Sequence, residues 1–219
     1  MDLIVPIIGE DLIKSQFSSK ELSKMVILIE QAYVLAKEST KHVSFLNWEL
    51  GQLHEGYLRP LAVNYLFKKE VENGGLSFSI ATESNRNKSH KFLLFGKGML
   101  RMTISQVECK NNIARPAYFR ERLKEVNQVS FNHFGAHSVV NEDNEYYLLL
   151  TYSSGGSKPR FVNLGFPGEK GWMCKINLML ETRQVNIEQE ELDKEEVISE
   201  ETFFDFNKFV EEVEGSGTE

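Results

Sequence analysis

Residues 89–128 read SHKFLLFGKGMLRMTISQVECKNNIARPAYFRERLKEVNQ, and the order of elements in this stretch decides the fold. An apolar run over 92–95 meets Gly96-Lys97-Gly98, and a second apolar run covers 99–109. Two apolar runs joined by a glycine-bearing turn spell a β-hairpin. After a short loop, Arg115-Pro116 opens a helical segment, because the fixed φ of proline suits a first helical turn and its missing N–H costs nothing there. A hairpin followed by a helix is the centre from which the rest of the chain can be placed.

Upstream, Ser18-Ser19-Lys20-Glu21 matches a capping box, in which a serine oxygen accepts from an exposed amide and Glu21 reaches back to the serine amide. The helix it starts should run to about Glu38, with Leu22, Val26, Ile29, Tyr33 and Ala36 on one face at steps of three and four. A second helix is predicted over 42–57, burying Leu46, Leu50, Leu53 and Tyr57, with Gly51 as its weak point and Pro60 ending or restarting it. Residues 61–72 read as a third helix stopped by Gly74, against the alternative of a strand turning at Asn73-Gly74-Gly75. Leu76, Phe78 and Ile80 alternate as a strand, and 83–89 is a polar loop. Residues 1–9 form an apolar arm or edge strand containing Pro6, and 10–17 a short helical piece.

Downstream, a connection over 130–144 leads to strands at 146–152, 160–166 and 172–180, separated by glycine-rich turns, which read as an antiparallel meander. Phe203, Phe204, Phe206, Phe209 and Val213 suggest an amphipathic helix docked near 200–213. The expectation is an α+β fold with N-terminal helices, a central β-hairpin plus basic helix, an antiparallel β-meander and an acidic C-terminal helix. It divides into one domain over 1–187, helical over 10–72 and β-rich over 76–180, and an acidic extension over 188–219.

Charge is unevenly distributed. The net charge is −7, yet residues 188–219 hold thirteen Asp/Glu against two Lys, a balance of −11. Residues 82–124 hold ten Lys/Arg against three Glu, a balance of +7. Such asymmetry favours a polyanionic or an oppositely charged protein partner. Two cysteines, Cys109 and Cys174, suit a reducing compartment and give no zinc spacing. The first residues lack the basic start and long apolar centre of a secretory leader, and there is no apolar run of membrane-spanning length, so a cytoplasmic protein is expected. Walker, Rossmann, nucleophile-elbow and kinase patterns are all missing, so no nucleotide cofactor is expected.

Two groups of residues carry candidate chemistry. Arg101, Arg115, Arg120, Arg122 and Lys124 supply cations for phosphates, with Tyr118 as a surface on which a base can stack. On a helix from Pro116, Arg120 and Lys124 share a face while Ala117, Phe119 and Leu123 turn inward. The alternative for each arginine is an ordinary surface pair with Glu121 or Glu125, or with the acidic tail. The second group is Glu108-Cys109-Lys110 at a strand end, with Glu83 ending the strand before the hairpin. His133 and His137, four apart, lack a third ligand beyond Glu142 or Asp143, so no resident metal is expected.

The order helix, strands, carboxylate, Glu-x-Lys, helix, strand resembles that of the PD-(D/E)xK nucleases. The resemblance implies Glu83 and Glu108 as Mg²⁺ ligands, Lys110 as the residue that positions or activates water, and Glu49 as an accessory carboxylate. It departs from the family pattern in having Glu rather than Asp at 83, with no proline before it, and Gln106 inside the strand. The combination TISQVECK, ARPAYFRERL, YYLLLTYSSGG and FVNLGFPG, within 83–178, resembles uncharacterised small proteins of bacteria and their prophages, and implies a bacterial or phage-infected cytoplasm but no activity. Three readings follow: a binding protein engaging nucleic acid or an acidic partner through 82–124, a Mg²⁺-dependent nuclease, or a protein inhibitor or regulatory partner acting through its acidic C-terminus.

Overall fold

A computed structural model describes residues 9–85, 87–132 and 145–181. The apolar arm over 1–8, the histidine pair His133 and His137, and the acidic extension with its helix near 200–213 lie outside the described residues.

The chain opens with α1 (Gly9–Gln16) and α2 (Ser19–His42). The capping box forms: Ser18 Oγ accepts from the Glu21 amide at 3.2 Å, and Glu21 Oε2 accepts from the Ser18 amide at 3.0 Å. Leu22, Val26, Ile29, Tyr33 and Ala36 are all buried, as their spacing predicts. α2 runs on to His42 and ends where Val43 turns extended.

The predicted helix over 42–57 does not form. The chain instead turns through 43–50, makes a short 3-10 turn at Gly51–His54, and enters α3 (Glu55–Glu72). Gly51 sits against the Leu46 backbone, where any Cβ would collide. The four apolar residues have helical spacing but no surface to bury it on: Leu46 is half-buried, and Leu50, Leu53 and Tyr57 face solvent. α3 takes Pro60 into its second turn, and Gly56, the residue whose carbonyl Pro60 cannot serve, is exposed. Residues 61–72 are helical, so the strand alternative falls away.

Six strands follow: β1 (Ser79–Ser84), β2 (Lys91–Lys97), β3 (Leu100–Val107), β4 (Tyr146–Ser153), β5 (Val162–Pro167) and β6 (Trp172–Asn177), with α4 (Tyr118–Asn132) between β3 and β4. They form one sheet in chain order. β1, β2 and β3 are antiparallel neighbours, and the tight β2–β3 turn places Gly98 at φ +56°. β4, β5 and β6 form the predicted antiparallel meander. It is not separate from the hairpin, however. β4 lies parallel to β3 along its whole length, from Leu100 opposite Tyr146 to Val107 opposite Ser153. Parallel neighbours need a long crossover, and the segment containing α4 supplies it.

The helices divide between the two faces. α1, α2 and α3 cover one face, where Phe67, Phe95, Leu148, Leu150 and Leu164 join the main core. α4 covers the other over a smaller cluster of Ala114, Tyr147 and Leu149, flanked by Ile113, Leu123 and Trp172. Every residue of β4 is buried, as a central strand covered on both faces requires. No helix among the described residues is long and apolar enough to cross a membrane.

Candidate nucleic-acid interface

α4 is fixed to the sheet by polar groups. Asn127, fully buried, accepts from the Tyr147 amide at 2.7 Å and donates to the Tyr147 carbonyl at 2.8 Å. Its Nδ2 also approaches the Pro167 carbonyl at 3.4 Å. Pro167 ends β5 and carries no N–H, so it cannot act as a donor to β4. The Asn127 amide satisfies both backbone groups of Tyr147 and pins α4 where it does so.

Arg120 is the second anchor. Its guanidinium donates to the Arg115 carbonyl at 2.9 Å and to Ser105 Oγ at 3.1 Å, and lies 4.7 Å from the Phe119 ring centre. Its Nε is buried and unpartnered. Burial lowers its pKa, outweighing the opposing effects of Tyr147 and Glu121. The Tyr147 hydroxyl, 2.6 Å from Thr103 Oγ1, is pushed up to about 12 by burial, against the hydrogen bond from Thr103 and the nearby Arg120 charge. Tyr147 is therefore protonated at neutral pH.

Lys124 is 3% exposed and pairs with Glu121 at 2.9 Å. The predicted phosphate-gripping face of Arg120 and Lys124 is thus turned into the protein. Leu123 packs in the smaller core and Phe119 stacks on Phe92 of β2 with ring centres 3.8 Å apart, as the inward assignment of these two residues predicts. Arg101 is also committed: it pairs with Glu145 at 2.6 Å and donates to the Gly98 carbonyl at 2.9 Å.

Tyr118 and Arg122 line a concavity. The end of β1 and the first turns of α4 enclose about 410 Å³ lined by Glu83, Ser84, Asn85, Tyr118, Phe119 and Arg122. The Phe92–Phe119 stack ties this part of α4 to β2. Asn85 holds the following turn closed: its amide donates to the His90 carbonyl at 2.9 Å, and its side chain meets Ser89 Oγ at 3.0 Å. Tyr118 is 58% exposed, and Arg122 and Arg115 are exposed too. An aromatic face, a guanidinium and a carboxylate therefore share one cleft. Ser84, Asn85 and Phe119 carry no motif; only the sheet register and the helix start place them there.

The Glu-x-Lys group lies elsewhere. Glu108 and Lys110 follow the last residue of β3, are exposed, and enter a turn closed by the Asn112 amide on the Cys109 carbonyl at 3.0 Å. The Lys110 carbonyl accepts from Asn163 at 2.9 Å and from Lys175 at 2.5 Å. Burial and then the Lys110 charge lower the pKa of Lys175. Glu83 is on β1, with β2 between it and β3. Glu49 is exposed in the α2–α3 connection. Among the described residues no three His, Cys, Asp or Glu side chains converge as a metal site. Glu83 and Glu108 thus do not form a ligand set in this arrangement.

Comparison with family models, curated proteins and solved structures finds no match for the chain.

Proposed function

We propose that the protein binds single-stranded nucleic acid in the cleft between the end of β1 and the start of α4. The observation that carries this reading is the sharing of one concave site by exposed Tyr118 and Arg122, with Arg115 exposed just before the helix. A base needs a free π-face to stack on and a phosphate needs a free cation. These three residues supply both, whereas Arg101, Arg120 and Lys124 are engaged within the protein. A single strand is favoured over a duplex because a base stacks on Tyr118 only when it is free of its own neighbours. Glu83 disfavours phosphate on its side of the cleft and sets the direction in which a strand lies.

Fluorescence anisotropy with labelled single- and double-stranded DNA and RNA tests the reading. Single strands should bind more tightly, with affinity falling steeply as salt rises. Tyr118→Ala should weaken binding by about tenfold, since stacking on one aromatic side chain contributes about 1–3 kcal/mol per base. Binding that is absent at low salt would end it.

A metal-dependent nuclease is the second reading, favoured by element order: helices, three antiparallel strands, a helix, and a strand parallel to the third. Glu83 and Glu108 would have to be drawn together by the bound strand. Incubation with Mg²⁺ or Mn²⁺ and each class of nucleic acid tests it, and cleavage must disappear in Glu108→Ala.

A further inference from the structure

The α2–α3 connection leaves an apolar patch open. Phe45, Trp48, Leu50, Leu53 and Tyr57 are between 54% and 77% exposed. The Trp48 indole N–H is closed onto the Phe45 carbonyl at 2.7 Å, so its one polar atom is already served. At the 150–250 Å² typical of a large aromatic side chain, Phe45, Trp48 and Tyr57 alone present roughly 400 Å² of apolar surface, and Leu50 and Leu53 add to it. That is the upper end of what a monomer leaves uncovered, and larger patches mark interaction sites.

The patch belongs to the helices that cover one face of the sheet, and the described chain ends on that face. Two antiparallel pairings separate β4 from β6, so β6 runs parallel to β4 and stops at the same end of the sheet. α2 reaches that end, where Tyr33 donates to the Ser153 carbonyl. α3 starts there, where Arg59 donates to the Gly156 carbonyl at 2.6 Å. The patch joins these two helices. Just past β6, Leu178 is buried in the core on the α1–α3 face. A helical turn follows, and Glu181 at its end pairs with Lys14 of α1 at 3.2 Å, so the chain leaves on the same face as the patch. At ordinary strand spacing, β4 and β6 are about 10 Å apart.

Thirty-eight residues follow Glu181, and they contain Phe203, Phe204, Phe206 and Phe209. Phe203, Phe206, Val210 and Val213 recur at steps of three and four, which gathers them on one side of a helix. The residues from 182 to 202 span roughly 25 Å as a coil, enough to reach the patch. A tethered partner acts at an effective concentration of order mM, which favours it over a second copy.

We propose that the segment 203–213 of this same chain covers the patch formed by Phe45, Trp48, Leu50, Leu53 and Tyr57. Each apolar group then supplies the surface that the other lacks.

Trp48 reports on the contact directly. The chain has two tryptophans, so Trp172→Phe leaves Trp48 as the only one, excited selectively at the red edge of the absorption band. In that full-length background, Trp48 emission should be blue-shifted and poorly quenched by acrylamide. Joint F203S, F204S, F206S and F209S substitution should red-shift it and raise the quenching constant several-fold, with far-UV circular dichroism showing that the sheet persists. Leu53→Asp, at a solvent-facing position that folding does not need, should give the same rise even if the phenylalanine variant folds poorly. Strong quenching in the parent, unchanged by either variant, would overturn the proposal. Protection that is lost on dilution, with a dimer seen by light scattering, would overturn it in favour of a second copy.

Discussion

The two faces of the sheet are held by different means. On the α1–α3 face the contacts are apolar and extensive, with Tyr33, Phe67, Phe95 and Phe166 nearly or fully buried. On the α4 face the apolar cluster is small, and α4 is held by hydrogen bonds from Asn127 and Arg120. The difference shows where the basic residues of 82–124 are used. A face with little hydrocarbon uses charged and amide groups as structural ties, and Arg120 is consumed in that role, while Lys124 pairs with Glu121 within α4 and Arg101 pairs with Glu145. Of the six residues that the sequence offers for nucleic acid, Tyr118, Arg122 and Arg115 at the rim remain for a ligand.

Phe67→Ala should cost about 4 kcal/mol, because a fully buried ring leaves a cavity among well-packed neighbours. Urea denaturation should show a large fall in midpoint. Next comes Asn127→Ala, expected to cost about 3 kcal/mol because it strands the amide and carbonyl of Tyr147 in a buried site. If Asn127→Ala were nearly neutral, α4 would not be held as described.

The third prediction concerns pH on the α1–α3 side. Burial raises the pKa of Glu21, but hydrogen bonds from Lys97, Ser77 and Ser18 outweigh it and hold the carboxyl at about 2, below the ordinary 4.5. A depressed carboxylate pKa stabilises the fold above the unfolded value, and that stability is lost as pH falls from 4.5 toward 2. With its side chain 15% exposed, Glu21 should contribute roughly 2 kcal/mol at neutral pH. Glu21→Gln should remove that stability at pH 7 and flatten the acid limb of the thermal midpoint against pH.

These sites show what the sequence made legible. The capping box and the β2–β3 hairpin rest on contacts between residues close in the chain, and the buried stripe of α2 on its apolar period; each was readable from spacing and residue type. The β3–β4 pairing was not, because the crossover joins strands far apart and no local pattern specifies a parallel neighbour. The 42–57 segment failed for a related reason. Its apolar spacing is helical, but spacing does not say whether a surface exists to receive it. The inward course of Lys124 was hidden as well: its buried stem carries the ammonium to Glu121, whose side chain is 46% exposed, so a core-side position reads as a surface charge. Asn127 carried no signal, because its role depends on Pro167 standing one strand away. In the candidate site, Tyr118 and Arg122 were legible as types, and their meeting with Glu83 depends on the register of β1.

The smallest expected stability effects belong to the rim, and they separate the two uses of arginine most sharply. The decisive measurement is a side-by-side comparison of Arg122→Gln and Arg120→Gln by thermal denaturation and by the salt dependence of single-stranded DNA binding. Arg122→Gln should leave the melting temperature unchanged and lower the salt slope by about one, as expected when one phosphate contact is lost. Arg120→Gln should destabilise by about 1–2 kcal/mol through lost buried hydrogen bonds and leave the slope intact. If Arg120→Gln lowers the slope and Arg122→Gln does not, the strand lies on the inner face of α4 and the assignment of the cleft is wrong.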